Sequence, residues 1–477
     1  MAYYFGATFE TDIYYVAFNF VGTLSSAFIR AITISLVGIY THCLVQKGKD
    51  AASKLLSACL EVLLPIVLVV LLLAYILTPH IARALAPAYS PEESLILQSY
   101  LRICYPFFLF SVVTLVWTSL LDANKDFVAS RTESFITSTT TILCCVVLYS
   151  TQAVTSLVIA QYLSYIIFGT LLLVRGKKYF DFTFVKFQDV PEIRKVLYTA
   201  LPLFVGNSVS QINKIVDNSL STGLGHGNAS ALSYAMVLED FVSIILVNNV
   251  VDILYVNFST YTAEGNYEKL ADTMKKAINI MICIMIPITI ITCFCAKDIV
   301  AIAYYRGSFT WRDVLMTSAA LIGYAIGFTS MGVRDIILRG LYSFNNTKGP
   351  MITGFFAVGF NIIFSIFLSR YIGIMGISIA SSISLTVNFL INSRMLKKHM
   401  PNYKFSVHFP VLLKQLPAAA YAVIVVLIIK SLTSSFFFAF VLSAVFALAG
   451  YMLILFAMHI EEVDYMKEII MSKLHRS

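Results

Sequence analysis

Runs of about twenty mostly apolar residues recur along this chain almost without pause, and no other feature limits its fold so severely. The hydrocarbon core of a bilayer is about 30 Å thick, which a helix crosses with ~20 apolar residues at ~1.5 Å each. In that core every backbone polar group must be satisfied internally, so apolar runs of this length are helices. Composition agrees, with 58% hydrophobic and 13% charged residues and a mean hydropathy of +0.81; soluble domains average about 45–50% and about 25%. The expected fold is all-α: a polytopic membrane protein with about 13 transmembrane helices in two bundles plus a C-terminal helix pair.

The predicted spans are 12–44, 52–78, 94–121, 127–149, 152–174, 197–221, 229–258, 276–296, 314–342, 350–369, 374–393, 409–430 and 435–459. The longest polar connection, RGKKYFDFTFVKFQDVPEIRKV at 175–196, divides them. It implies an N-terminal bundle over 1–174, a cytoplasmic connector over 175–196 and a second bundle over 197–398. A helix pair and an amphipathic cytoplasmic tail then occupy 399–477. Lys and Arg concentrate in alternate connections, and the rich side reads as cytoplasmic. The C-terminus is then inside and the loop GLGHGN at 223–228 outside. The net charge of +8 is accordingly a topology signal, and no nucleic-acid partner is expected. No basic segment with a cleavage site precedes the first helix, so no signal peptide is expected.

The eight cysteines, including Cys144, Cys145, Cys293 and Cys295, fall in apolar helices and read as packing residues, not metal ligands or disulfides. There is no GxxxxGK[ST], no HExxH and no nucleophile–base pair, so no catalytic residue, cofactor or metal is expected and the chain reads as a non-enzyme. Two bundles that rock about a central site describe many transporters, and no pore-loop motif points to a channel.

Ionisable residues inside spans are costly and mark function by default. They are Asp12 and Arg30 in the first span, Glu61 in the second, and Arg102 near the outer end of the third. Lys214 and Asp217 lie in the sixth, Glu239, Asp240 and Asp252 in the seventh, and Arg334, Asp335 and Arg339 in the ninth. In LPLFVGNSVSQINKIVDNSLSTGL, Asn207, Gln211, Lys214 and Asn218 are spaced four, three and four apart, which places them on one helical face. That stripe lines a cavity, or Lys214 simply pairs with Asp217 while the amides tie helices together. Asp335 and Arg339 have the spacing of an intrahelical ion pair, whereas Arg334 has no such partner. The substrate-binding candidates are thus Arg30, Asn207, Gln211, Lys214, Asn218 and Arg334. Asp12, Asp217, Asp240 and Asp252 are the candidate cavity or coupling carboxylates. Fixed cations and amides suit an amphiphile with an anionic, hydrogen-bonding head.

FGATFETDIYYVAF at 5–18 resembles the "FGAxxxTDAFFVAF" signature of the MurJ (MviN) lipid II flippase family, within the multidrug/oligosaccharidyl-lipid/polysaccharide exporter superfamily. SVSQINKIVDNSLSTGL and ALSYAMVLEDF resemble that family's seventh and eighth helices. YYRGSFTWRDVLMTSAALIGYAIGF is similar to its "YxxGxFtxxDxxxTxxALxxYxxG" block, and RGLYSFNNTKGP and GISIASSISLTVNFLINSRMLKK follow in the family's order. The resemblance implies fourteen helices, alternating access, and transfer of a polyprenyl-diphosphate-linked sugar from the inner to the outer leaflet. It also places Glu10 and Asp12 at the outer mouth of a cavity-lining helix.

The chain departs from the pattern in three places. The family's first helix, with "SRxLGxxRD", has no counterpart, so an upstream in-frame extension encoding an Arg-bearing helix is expected. The paired arginines of "PNLLRRLFAEGA" are Ser25 and Ser26, with Arg30 one turn on, and the "YAxRL" arginine is Val237. Arg30 and Lys214 are the evident cationic substitutes. The reading is a flippase for a lipid II-like oligosaccharide carrier in the bacterial inner membrane. Its partners are that lipid-linked oligosaccharide and membrane lipids, with a coupling cation and cell-wall synthesis proteins as further candidates. The alternatives are a cation-coupled exporter of small amphipathic drugs and an inactive partner of envelope-synthesis enzymes.

Overall fold

A computed structural model describes residues 1–152, 154–180, 182–185, 190–344, 346–401 and 403–458; side chains at 34, 149–152, 202–203, 205–207 and 209–210 are outside that description. The long helices are α1 (Phe9–Lys47), α2 (Lys49–Leu85), α3 (Pro91–Cys104), α4 (Pro106–Ala123), α5 (Glu133–Gln152), α6 (Thr155–Gly176) and α7 (Pro191–Thr222). They continue as α8 (Asn228–Val242), α9 (Asn249–Ala263), α10 (Tyr267–Phe294), α11 (Ala296–Tyr304), α12 (Trp311–Ala325) and α13 (Phe328–Ser343). The last are α14 (Lys348–Ile372), α15 (Ile374–His399), α16 (Phe409–Leu432) and α17 (Phe436–Ala457). Among the described residues ten helices are long and apolar enough to cross a bilayer, counting α3 with α4 and α8 with α9, and the bent pair of α12 and α13 makes eleven. The expected spans 127–149 and 197–221 are helices too: α5 is shorter in its apolar stretch, and α7 carries the polar stripe.

Local chemistry sets the boundaries. Thr8, Ser90 and Thr310 each close a reciprocal capping box three residues on, with Thr11, Glu93 and Asp313. Pro91, Pro106 and Pro191 stand in the first turn, where a missing N–H costs nothing. Three predicted spans are interrupted. The third breaks at Tyr105, before Pro106. The seventh carries a π-turn at Ser243–Asn248, where the Asn249 side-chain amide donates to the Ile244 carbonyl at 3.0 Å. The ninth bends by 44° between α12 and α13. There Gly327 N–H bonds back to Tyr324, and the freed Gly323 carbonyl accepts instead from Ser382 Oγ at 2.6 Å. Side chains at Gly323 and Gly327 would collide with Ser378 and Ser382, so α15 lies directly on the bend.

The chain forms two compact units, Met1–Ser230 and Ala231–Ser477. In the first, α1 packs against α2, α3, α4 and α7, and α6 covers α4 and α5. Ile13, Leu36, Tyr40, Leu55, Leu56 and Phe107 are buried at its centre. Helix α7 was expected to open the second bundle; it packs on α1 and α2 within the first unit. In the second unit α15 is central, packed on α12, α13 and α14, and α16 and α17 lie against α10. Helices α14 and α15 form a hairpin joined by Gly373 alone, at φ +59°. Inside the hairpin Thr353 donates to Asn392 at 2.9 Å, Asn392 to Asn388 at 2.7 Å, Asn361 to Ser381 at 2.9 Å and Ser384 to the Ala357 carbonyl at 2.6 Å.

Candidate functional site

The antiparallel pair of α1 and α7 carries most of the candidate residues, and it is pinned at both ends. At one end Lys47 pairs with Glu192. At the other, Asp12 accepts from the Gly227 N–H at 2.5 Å, the Ser230 N–H at 2.6 Å and the Ser230 hydroxyl at 2.7 Å. Asp12 is fully buried. The expectation of an open cavity carboxylate at a watery mouth is therefore corrected. Its oxygens are taken up by donors at the start of α8, where the exposed N–H groups and the helix dipole favour an anion. Sequence reasoning missed Gly227 and Ser230 because they lie more than two hundred residues away. It also missed His226 in the same turn, which sits 3.2 Å from Glu93 and edge-on to Phe9 with ring centroids 4.8 Å apart. Glu10, by contrast, is exposed.

Along α7 the four polar positions do not behave alike. Gln211 is half-buried, Lys214 exposed and Asn218 buried, while the Asn207 side chain lies outside the described residues. Lys214 forms no ion pair with Asp217. Asp217 is buried and accepts from Asn213 Nδ2 at 3.3 Å, one turn earlier. The two charges thus separate: the carboxylate is buried and the Lys214 side chain is exposed. Asn218 Oδ1 is buried without a donor among the described residues, and most such buried acceptors in proteins are satisfied.

Arg30 on α1 is exposed and has no ion pair among the described residues. Contact between the Phe28 and Phe204 rings, centroids 6.2 Å apart, fixes the local register of the pair. Arg30 lies two residues beyond Phe28 toward Lys47, and Lys214 ten residues beyond Phe204 toward the Asp12 end. At ~1.5 Å per residue their Cα positions differ by about 18 Å along the helices, and each side chain leans toward its own helix N-terminus, which in this antiparallel pair is toward the other.

In the second unit the expected pairing is overturned. Arg334 donates to Asp335 Oδ1 from Nε at 2.8 Å and Nη2 at 2.6 Å. Arg339 instead reaches Asp252 on α9 at 2.7 Å, its guanidinium lying over Tyr255. The i,i+4 rule counts only partners on one helix; here a carboxylate on a neighbouring helix competes and wins. Arg334 and Asp252 are thus members of ion pairs, and Asp240 is exposed near the end of α8. Among the described residues no group of three or more His, Cys, Asp or Glu side chains is placed to hold a metal.

The profile of the family described as lipid II flippase MurJ matches residues 1–447. The chain belongs to the MurJ lipid II flippase family. The probable lipid II flippase MurJ of Buchnera aphidicola subsp. Schizaphis graminum is 25% identical over 418 residues, covering 85% of this chain and 80% of the relative. That of Rickettsia prowazekii is 24% identical over 404 residues, 83% of this chain and 79% of its own. Among solved structures the chain is similar to a lipid II flippase MurJ in an inward closed conformation. That likeness has a TM-score of 0.81 at 23% identity, over 98% of this chain and 95% of that one. It is also similar to an inward-facing multidrug resistance MATE family transporter, with a TM-score of 0.72 at 14% identity over 84% and 93%. Likeness at these identities concerns the fold. The MurJ family and this fold together make the chain a multi-pass helical membrane transporter.

Proposed function

We propose that the chain carries a polyprenyl-diphosphate-linked oligosaccharide of the lipid II type from the inner to the outer leaflet of the bacterial inner membrane. It works by alternating access, with its C-terminus in the cytoplasm. The observation that carries this reading is Lys214: an exposed side chain within a predicted span, without an ion pair among the described residues, on the helical face of Gln211 and of Asn218, whose Oδ1 has no donor among them. An uncompensated cation at this position is expensive unless it meets an anion or water in a cavity. Family membership supplies the class of that anion.

Arg30 and Lys214 stand at different depths, so a diphosphate meets them in turn, not together. Each contact is then weak enough to release the head group to the next. Proteoliposomes containing the purified chain and a fluorescent lipid II analogue test the proposal through quencher access to the outer leaflet. Time-dependent transfer that falls with Lys214→Ala supports it. Efflux of amphipathic cationic dyes without lipid transfer would replace it with the drug-exporter reading.

A further inference from the structure

Arg102 lies on α3 with its guanidinium carbon 5.0 Å from the centroid of the Tyr75 ring on α2. Both side chains are exposed, and Arg102 has no hydrogen bond or ion pair among the described residues. The surface around them is strongly apolar. Leu72, Leu73 and Ile76 are exposed on α2, and Leu95, Ile96 and Ile103 on α3. This is the composition of a lipid-facing wall, and a lone cation on it needs an account.

Its depth supplies one. Tyr75 is ten residues from the Leu85 end of α2 and Arg102 eleven from the Pro91 end of α3, which places both about 15–17 Å from those helix ends. Helix α2 is about 55 Å long and the α3–α4 segment about 50 Å, against a ~30 Å hydrocarbon core, so roughly 10 Å of each protrudes at either end. The pair then sits a few ångströms inside the outer edge of the hydrocarbon. From there an extended arginine reaches the phosphate plane.

We propose that Arg102 and Tyr75 form a surface site for one anionic phospholipid of the outer leaflet. The guanidinium holds the phosphodiester, Tyr75 is the floor beneath the cation, and an acyl chain lies along Leu72, Leu73 and Ile76. A single guanidinium, with no second cation paired to it, matches one phosphodiester charge better than a diphosphate with its sugar, and the Gln98 amide one turn earlier on α3 lies on the side toward which the Arg102 side chain leans. The leaflet rests on the orientation proposed above, whereas the site itself does not depend on the transported substrate.

Native mass spectrometry of the full chain in detergent, titrated with dioleoylphosphatidylglycerol or dioleoylphosphatidylcholine, tests it. Wild type should retain one tightly held phosphatidylglycerol, and Arg102→Gln should weaken that site by about tenfold. Tyr75→Leu should weaken it by about two- to fivefold, and Arg102→Lys should keep most of the preference. Equal retention in wild type and Arg102→Gln, or no preference over phosphatidylcholine, would overturn the assignment. If Arg102→Gln fails to fold, unchanged retention in Tyr75→Leu overturns it alone.

Discussion

Replacing Asp12 tests whether its carboxylate anchors the turn at 227–230. The side chain is fully buried and accepts three bonds, two of them from backbone N–H groups that have no other role for their protons in this geometry. Asp12→Ala removes all three and leaves the Gly227 and Ser230 donors facing an apolar interior, at about 1–3 kcal/mol for each stranded group. Contacts sharing one carboxylate are not additive, so the loss should come to about 3–5 kcal/mol. Asp12→Asn keeps one acceptor oxygen for Ser230 but turns an N–H toward Gly227, a cost of about 1–3 kcal/mol. Ser230→Ala, which removes only the hydroxyl, should cost about 1.5–3 kcal/mol. Reversible unfolding in mixed detergent micelles should order the variants with Asp12→Ala the least stable, and amide exchange at Gly227 and Ser230 should accelerate selectively in it. Wild-type stability and protection in Asp12→Ala would refute the anchoring argument.

Lys214→Ala should lower binding of a diphosphate-bearing lipid by ten- to hundredfold, from a lost charge-assisted contact of roughly 1.5–3 kcal/mol. Protein yield and unfolding should barely change, since no ion pair among the described residues is broken; a folding defect would return Lys214 to a structural role. Gly376→Ala would set a methyl 2.4 Å from the Leu368 backbone and should destabilise the α14–α15 hairpin by about 1–3 kcal/mol. Gly359→Ala, with nothing within 4 Å, is the control, and equal stability of the two variants would dismiss the close approach. The Lys47 ammonium, by its hydrogen bond and charge, holds the Glu192 carboxyl below its ordinary range. A depressed native pKa contributes stability above the unfolded value, lost as pH falls through the native one. Wild type should therefore lose more stability than Glu192→Gln between pH 5 and about pH 3, and parallel acid profiles would show that the pair contributes nothing.

Hydropathy made the helices legible because the bilayer imposes one rule on every crossing. Interruptions were less so. Pro106 announces a break at Tyr105, but the π-turn at Ser243–Asn248 has no composition of its own, and the bend at Gly327 depends on Ser382 from another helix. Ionisable residues were found by their cost, yet their partners were not. Asp335 looked toward Arg339 only while Asp252 was out of view, and Asp12 looked open only while Gly227 and Ser230 were distant in sequence. Spacing predicts neighbours on one helix, whereas partners across helices are fixed by the packing of the bundle.

The hairpin of α14 and α15 bears on how the chain enters the membrane. With Gly373 as its whole connection, α15 can meet α14 as soon as it forms, before any other helix of the unit is needed. Thr353, Asn361, Ser384, Asn388 and Asn392 would each be a burden to a solitary helix in hydrocarbon, but all find partners within the hairpin. The polar groups that make each half a poor passenger are what make the pair a self-sufficient one. During biogenesis the second unit can therefore be seeded at α14 and α15, with α12 and α13 closing onto a surface that is already formed.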